Sequence, residues 1–268
     1  MNQTMSKAAV NQELGDERTL DSLIETAHRQ MAPRLARVRR PPVRAGLVSS
    51  PLGRLVVAIS EAGIALIYFL DVPRANAADA IAMLQWRFDV MEDQPVVAGV
   101  GEEIRHFMAG NLAALVTPVD LSLIESPFQH RVMERLRKVP AGAVISYQAL
   151  AAASGAPHGS RAVGNTMASN PVPVYVPCHR VIRSDGSVGN YGGGVASKLR
   201  LLRVEGFQIG EDHRVAAGAV LGHQRTHIYC RPSCSAARRA DPARMMIFAD
   251  SARARSAGLR ACRQCLPG

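Results

Sequence analysis

The sequence predicts an α/β N-terminal domain followed by a mainly helical domain containing a helix-turn-helix, with a small four-cysteine module at the C-terminus. Three observations carry this reading. Short β-like runs separated by turn residues begin at Val43, short capped helices crowd residues 126–210, and four of the five cysteines lie from Cys230 onward. At 268 residues and 47% hydrophobic content, the chain has material for one generous domain or two ordinary ones with an appendage.

Residues 1–42 read as a polar N-terminal extension with one amphipathic helix, Leu20 to Met31, ended near Pro33; Pro41-Pro42 marks a boundary. Residues 43–125 read as a small α/β domain. Ser50-Pro51-Leu52-Gly53 is a turn, followed by strands over Leu55 to Ile59 and Ile64 to Leu70. A helix over Ala75 to Arg87 comes next, and its Trp86, the one tryptophan of the chain, is expected in the core.

Residues 126–210 are denser in signals. Ser126-Pro127 opens a helix whose Phe128, Val132, Leu136 and Val139 recur on one face. Ser146 is an N-cap for Tyr147 to Ala153, which Ser154-Gly155 terminates. Ser160 is expected to cap a second helix, Arg161 to Ala168, ended by Asn170-Pro171. Two short helices joined by a Gly-containing turn are a helix-turn-helix candidate. Behind Arg161, Ala162 and Gly164 offer nothing to read base edges but let a backbone approach a DNA groove closely, so insertion is expected in place of base readout. The competing reading is a small-residue helix packed on a core.

The formal net charge of +10, mostly arginine, favours a polyanionic partner, with nucleic acid first and an anionic membrane surface as competitor. No apolar run reaches membrane-span length; the longest candidate, Gly63 to Leu70, stops at Asp71. No signal-peptide apolar region occurs in the first twenty residues, so a reducing, cytoplasmic location is expected. Cys230-x3-Cys234 and Cys262-x2-Cys265 stand apart from Cys178, a split that suggests one metal site and one reactive thiol; two disulfides with a spare are the alternative.

Cys178 lies in Pro177-Cys178-His179-Arg180, directly after the apolar run Val172 to Val176, read as a strand. An imidazole and a guanidinium beside a thiol can hold it as a thiolate nucleophile. On a strand His179 would face away from the sulfur, so a water or a bent backbone must connect them. Glu205, in the helix-like run Lys198 to Gly206, is the best carboxylate to orient the imidazole, which would complete triad logic on a thiol. Ser184 to Ser187 reads as a tight turn, and Gly189-Asn190-Tyr191-Gly192-Gly193-Gly194 as a loop with room for a planar ligand beside an aromatic ring.

Ile145 to Ala151, Arg161-Ala162-Val163-Gly164, Asn170-Pro171, Pro177 to Val181 and Val188 to Tyr191 together resemble the O6-alkylguanine-DNA alkyltransferases, also called methylated-DNA-protein-cysteine methyltransferases. The resemblance runs from about Val43 to Gly206 and makes residues 126–210 the catalytic domain. It implies that Cys178 takes the alkyl group irreversibly from O6 of guanine in double-stranded DNA, with O4-methylthymine as a further substrate, without a cofactor and as a monomer away from membranes. It implies that His179 and Glu205 activate Cys178, Asn170 braces their geometry, Tyr147 donates toward the leaving guanine, and Lys198 holds that network. Arg161 would fill the space of the extruded nucleotide, with Ala162, Gly164 and Arg180 at the DNA, while Tyr147, Val181, Asn190, Tyr191 and Gly192 wall the base pocket. Met133 stands where the family often has an aromatic residue, and Gly192 where some members have serine.

The C-terminal module, residues 211–268, is strongly basic: from Arg214 onward it carries ten arginines against two aspartates, Asp241 and Asp250. Cys230, Cys234, Cys262 and Cys265 have the paired spacing of a structural zinc site. Ile228 to Cys234 and Ala257 to Cys265 resemble the methylphosphotriester-accepting domain of the bacterial adaptive-response protein Ada, here following the catalytic domain where that protein has it in front. The resemblance implies zinc held by the four thiolates and makes Cys230 a second methyl acceptor or, in the alternative, part of a zinc-stabilised tail whose arginines touch phosphates. Three rival classes are a non-catalytic lesion binder, a methyl-responsive regulator and a cysteine hydrolase. The first lacks use for Cys178, the second needs a sequence-reading helix, and the third leaves the Arg161 helix without purpose.

Overall fold

Along Pro42–Ser50 (β1), buried Val43 and Ala45 alternate with exposed neighbours, the period of a strand with a covered face. The computed structural model describes residues 40–215 and 220–267, so the helix expected over Leu20 to Met31 lies outside the described residues. Strands β2 (Gly53–Ser60) and β3 (Gly63–Phe69) follow as antiparallel neighbours, and β4 (Asp89–Glu92) runs parallel to β1 on its other edge. The sheet order is β3-β2-β1-β4.

Both faces of this sheet are covered. Helix α1 (Ala77–Gln85), capped by Asn76, buries Ala80 and Leu84 against Val43, Ala45, Val56 and Leu66. Helix α2 (Gln94–Met108), capped by Asp93, lays Val97, Val100, Ile104 and Phe107 with Val48, Leu55 and Val57 on the opposite side. Trp86 corrects the sequence expectation. It is 57% exposed, because Ala80, Leu84 and Phe88 already occupy the inward positions.

The next segment contains α3 (Pro127–Leu136), β5 (Ala143–Ser146), α4 (Tyr147–Ala153), α5 (Ser160–Ala168), the two-residue strand β6 (Val181–Ile182) and α6 (Gly194–Val204). Ser126 and Ser146 cap α3 and α4 as expected, the Ser146 hydroxyl accepting from Ala149 N–H at 3.0 Å. Ser160 does not cap α5. It is the first helical residue, and Gly159 takes the cap position without a side-chain bond.

Beyond residue 219 come β7 (Val220–His223), β8 (Ile228–Cys230), α7 (Ser235–Arg239), β9 (Met245–Phe248), α8 (Ser251–Ser256) and β10 (Arg260–Ala261). These strands do not form a separate sheet. They join β5 and β6 in one six-stranded sheet of order β10-β8-β7-β9-β5-β6, with Ala143, Val144 and Ile145 of β5 opposite Phe248, Ile247 and Met246 of β9. The buried core is equally continuous, running from Val48 through Ile145 and Val181 to Tyr229, Phe248 and Leu259. From Pro42 onward the chain is one compact unit. Among the described residues no helix is long and apolar enough to cross a membrane.

Candidate active site

Three prolines, Pro171, Pro173 and Pro177, remove backbone donors from the approach to Cys178, so this segment cannot enter a sheet ladder as an ordinary strand. Val172 to Val176 is accordingly a closed turn and corrects the strand reading. Val176 N–H donates to Val172 C=O at 2.9 Å, and Val174 sits at φ +77°, a left-handed conformation that a β-branched residue adopts only under constraint. Asn170 supplies much of that constraint. Its amide donates to Val176 C=O at 3.0 Å and its carbonyl accepts from Val172 N–H at 3.1 Å.

The same Asn170 amide nitrogen lies 3.0 Å from Cys178 Sγ. Cys178 opens a single 310 turn, Cys178–Arg180, so Cys178 and His179 are not on opposite faces of a strand. The N-terminal sheet steadies this region from the other side. Ile67 N–H on the edge strand β3 donates to Pro171 C=O at 2.8 Å, and Phe69 meets Tyr191 edge-on with centroids 5.8 Å apart. The Phe69 ring also fills the space a Cβ on Gly193 would need, at 2.6 Å, so only glycine lets the 189–194 loop dock there.

Behind the thiol is a buried ion-pair cluster. His179 Nε2 lies 2.8 Å from Glu205 Oε1, and Arg180 reaches the same carboxylate through Nε at 2.9 and 3.1 Å and through Nη2 at 2.7 Å. Gly142 N–H donates to Glu205 Oε2 at 3.1 Å. Glu205 is fully buried, and burial alone would raise its pKa; His179 and Arg180 outweigh that and hold the carboxyl down at about 2. An ionised carboxylate only accepts hydrogen bonds, so His179 presents Nε2–H to it and keeps Nδ1 as an acceptor. Nδ1 is buried and has no hydrogen-bond partner. Burial pulls the imidazole pKa below its ordinary value against the pull of Glu205, so the ring is neutral at rest.

Arg180 corrects another expectation, the one that places it at the DNA. It is 8% exposed and committed to Glu205 and, through Nη1 at 2.6 Å, to Val139 C=O. A guanidinium locked in such a fork cannot also reach a phosphate.

Cys178 is buried, and burial pushes its thiol above the ordinary value despite the Asn170 amide and the positive charge of Lys198. Lys198 is fully buried in α6, and burial brings its pKa down to about 8 against the pull of Cys178. Its ammonium donates to Val181 C=O at 2.6 Å and to Asn190 C=O at 3.4 Å, tying the start of β6 to the loop. Burial, reinforced by Cys178, raises the Tyr147 phenol, which therefore stays protonated.

Cys178 opens onto a cavity of about 560 Å³ lined by Tyr147, Arg161, Gly164, Asn190, Tyr191 and Gly192, all singled out in the sequence. Val181 corrects the pocket expectation: paired with Ile145 in the sheet, it is fully buried and does not line the cavity, while Ala162 is exposed on α5 next to Arg161. The wall includes four residues that sequence reasoning missed: Ser160, Met167, Ala168 and Arg183. Met167 and Ala168 lie three and four residues after Gly164, a helical spacing that could have found them. Arg183 carried no such signal. A Cβ at Gly164 would meet nothing within 4 Å, so its smallness leaves room in the cavity and serves no internal packing. A second cavity of about 290 Å³ touches Cys178 from the side of Phe69, Val72, Met83 and Pro173.

At the far end of the six-stranded sheet, the ligand atoms of Cys230, Cys234, Cys262 and Cys265 all lie within 4.8 Å of one another. A tetrahedral zinc with bonds of about 2.3 Å needs sulfurs about 3.8 Å apart, so the set fits. Backbone N–H groups of Ala237 and Ala236 turn toward Cys234, and those of Cys265 and Gln264 toward Cys262, and they lower both thiols, Cys262 to about 7, whereas burial and the neighbouring sulfurs raise Cys230 and Cys265. These four residues hold the structural zinc of the module.

A buried cysteine at an open, partly basic cavity, backed by a His179–Glu205 pair, defines a protein of the reactive-thiol class. Residues 127–207 match the family model for the 6-O-methylguanine DNA methyltransferase DNA binding domain, and residues 209–268 that for the metal binding domain of Ada. The chain is 38% identical over 174 residues to the human methylated-DNA–protein-cysteine methyltransferase, covering 61% of this chain and 81% of that protein. It is also 38% identical over 165 residues to the bifunctional transcriptional activator/DNA repair enzyme Ada of Escherichia coli, covering 61% of this chain but 45% of that protein. With the Salmonella typhimurium methyltransferase, 42% identical over 109 residues, it covers 63% of the relative. The crystal structure of Mycobacterium tuberculosis OGT in complex with DNA superposes with a TM-score of 0.52 at 30% identity, covering 60% of this chain and 92% of that one. The chain belongs to the methylated-DNA–protein-cysteine methyltransferase family.

Proposed function

We propose that this protein repairs DNA by single-turnover transfer of a methyl or other alkyl group from O6 of guanine to Cys178. The observation that carries the reading is the thiol at the floor of the cavity with a neutral imidazole, oriented by an ionised carboxylate, immediately behind it. His179 Nδ1 takes the thiol proton through a bridging water, and the imidazolium so formed is stabilised by Glu205. The thiolate forms the S–C bond as the C–O6 bond breaks and guanine leaves with the electron pair. Tyr147 quenches that charge with its phenolic proton and recovers a proton from solvent, while the Lys198 charge steadies both anions. The thioether is not reversed, so each molecule acts once.

A guanine in an intact stack cannot reach a thiol at the bottom of a cavity, so the nucleotide must leave the duplex. We assign α4, the connecting turn and α5 to a helix-turn-helix that lies along double-stranded DNA, with exposed Arg161 replacing the extruded base. Ala162 and Gly164 allow the close approach. Asn190, Tyr191 and Gly192 bound the base pocket, and the adjoining cavity beside Phe69 and Pro173 gives space for alkyl groups larger than methyl. O4-methylthymine is the second substrate. The protein works as a monomer in the cytoplasm, because one lesion needs one thiol.

Intact mass and peptide mapping after incubation with duplex DNA containing O6-methylguanine test this reading. One added methyl on Cys178 is expected, and a folded, lesion-binding protein that gains none there sinks it. The same assay with a methylphosphotriester reads Cys230. For Arg161→Ala, methyl uptake from duplex DNA is expected to slow by about ten- to a hundredfold, since a few kcal/mol of unstacking goes uncompensated. Uptake from free O6-methylguanine base should be unchanged; an equal loss with both substrates would contradict the assigned role.

A further inference from the structure

The four-cysteine module enters the reading above only as a metal site, yet it shares a sheet with β6, the strand directly after the Cys178 turn. Gly142 stands at the seam. Its N–H donates to Glu205 Oε2 at 3.1 Å, and its C=O accepts from Ala249 N–H, directly after β9, at 2.9 Å. The adjoining β5 pairs with β9 on one edge and with β6, which follows Cys178–Arg180, on the other. The stem of Arg253 in α8 covers Gly142, where an added Cβ would meet its Cδ at 2.8 Å, and reaches within 4.0 Å of the corresponding position on Gly206, next to Glu205. Helix α4, which begins with Tyr147, lies against the 310 turn Pro242–Arg244 of the same module.

Beside this seam the two parts enclose a cavity of about 440 Å³ between Val139, Pro140 and Ile145 on one side and His223, Gln224 and Met246 on the other. Packing is incomplete at that point, and the ladder, Arg253 and the shared core of Ile145, Tyr229 and Phe248 carry the connection. Tyr229, Phe248, Ala254 and Leu259 of the module belong to the continuous core, whereas its cysteine end buries a small separate cluster of Cys230, Cys234, Cys262 and Ala237. The cysteine end, whose buried cluster is its own ligand set, depends on the metal for its order, and the strands that lead from it to β9 feel its loss.

We infer that the metal-bound four-cysteine module is a positioning element of the Cys178 site, holding the Glu205 carboxylate against His179 through β9, Ala249 and Gly142. This rests on the repair reading for its effect on alkyl transfer, but its structural half stands separately. Cys178 is faced by His179, Asn170, Lys198, Tyr147 and Tyr191, and Glu205 by His179 and Arg180. Among the described residues the module adds to these the nearby stem and head of Arg253. Its action is thus on geometry: a looser Glu205 stabilises the imidazolium less, and thiolate formation then needs a higher pH.

Three forms of the full chain decide the matter: zinc-loaded, zinc-stripped by a chelator and reloaded, and zinc-loaded Ala249→Pro, which removes one N–H without touching a ligand. Hydrogen exchange at Gly142 and residues 143–146, the pH profile of methyl uptake on Cys178, and zinc content are read for each. Stripping is expected to speed exchange at Gly142 and slow uptake, each by about tenfold, the equivalent of about 1.4 kcal/mol, with recovery on reloading. Ala249→Pro should keep its zinc yet exchange faster at Gly142 and shift the acid limb of the profile upward by about half a unit. Arg253→Ala, which spares every backbone bond, should move both readouts the same way and decides the matter where stripping or Ala249→Pro unfolds the chain. Unchanged exchange at Gly142 and an unshifted acid limb overturn the inference. A zinc-loaded chain that takes no methyl overturns the repair reading alone, and exchange at Gly142 still decides this one.

Discussion

Cys178→Ala is expected to take up no methyl from O6-methylguanine DNA while still binding the lesion duplex. In the proposed reaction the sulfur is the acceptor atom, and no other cysteine lines the cavity; the remaining four sit in the metal cluster. The substitution removes one buried sulfur, and Asn170 keeps its bond to Val176 C=O when it loses that weak acceptor. Its stability should therefore fall by only about 1 kcal/mol. Mass spectrometry and a binding titration on the same preparation separate the two properties. Methyl uptake by the variant at the wild-type rate would place the acceptor elsewhere.

Glu205→Gln is expected to cost both stability and rate. The wild-type carboxylate is met by His179, by the Arg180 fork and by Gly142 N–H, all away from water. Neutralising it leaves the Arg180 charge buried without a counter-ion, which costs about 3–5 kcal/mol. The lost orientation and charge behind His179 should slow methyl uptake by about a hundredfold. The pH dependence gives the sign. The folded-state pKa of Glu205 lies below its ordinary 4.5, at about 2, so its contribution is complete above about pH 4.5 and disappears as pH falls toward 2. Urea midpoints of the two proteins should differ most at neutral pH and converge on acidification. A gap independent of pH would show that the Glu205→Gln amide fails for steric reasons.

The local elements were legible because their signals are local. Ser126 and Ser146 announce helix starts by the hydroxyls that satisfy the first free N–H groups, and Ser50 to Gly53 announces a turn by composition. Sequence and structure part where a longer-range contact sets the outcome. Trp86 follows a good helical pattern, but three other residues already fill the inward face. Val172 to Val176 has strand composition, but the Asn170 side chain and the neighbouring prolines close it into a turn. Arg180 looks like a surface cation beside a nucleophile until a carboxylate 25 residues onward turns it inward.

By itself the sequence determined the chemistry available: a lone thiol followed by imidazole and guanidinium, an arginine leading a helix of small residues, and four cysteines in paired spacing. Residue type and short spacing suffice for that, because acid-base character and ligand geometry are properties of the side chains. Only the tertiary structure decided which groups touch. It brought Glu205 to His179, sent Arg180 inward, opened the cavity over Cys178, and ran β9 alongside β5 so that one sheet links the cysteine cluster to the strand that follows the thiol's turn. Those pairings join residues distant in the chain, and their stability comes from burial and ion pairing created only when the core closes.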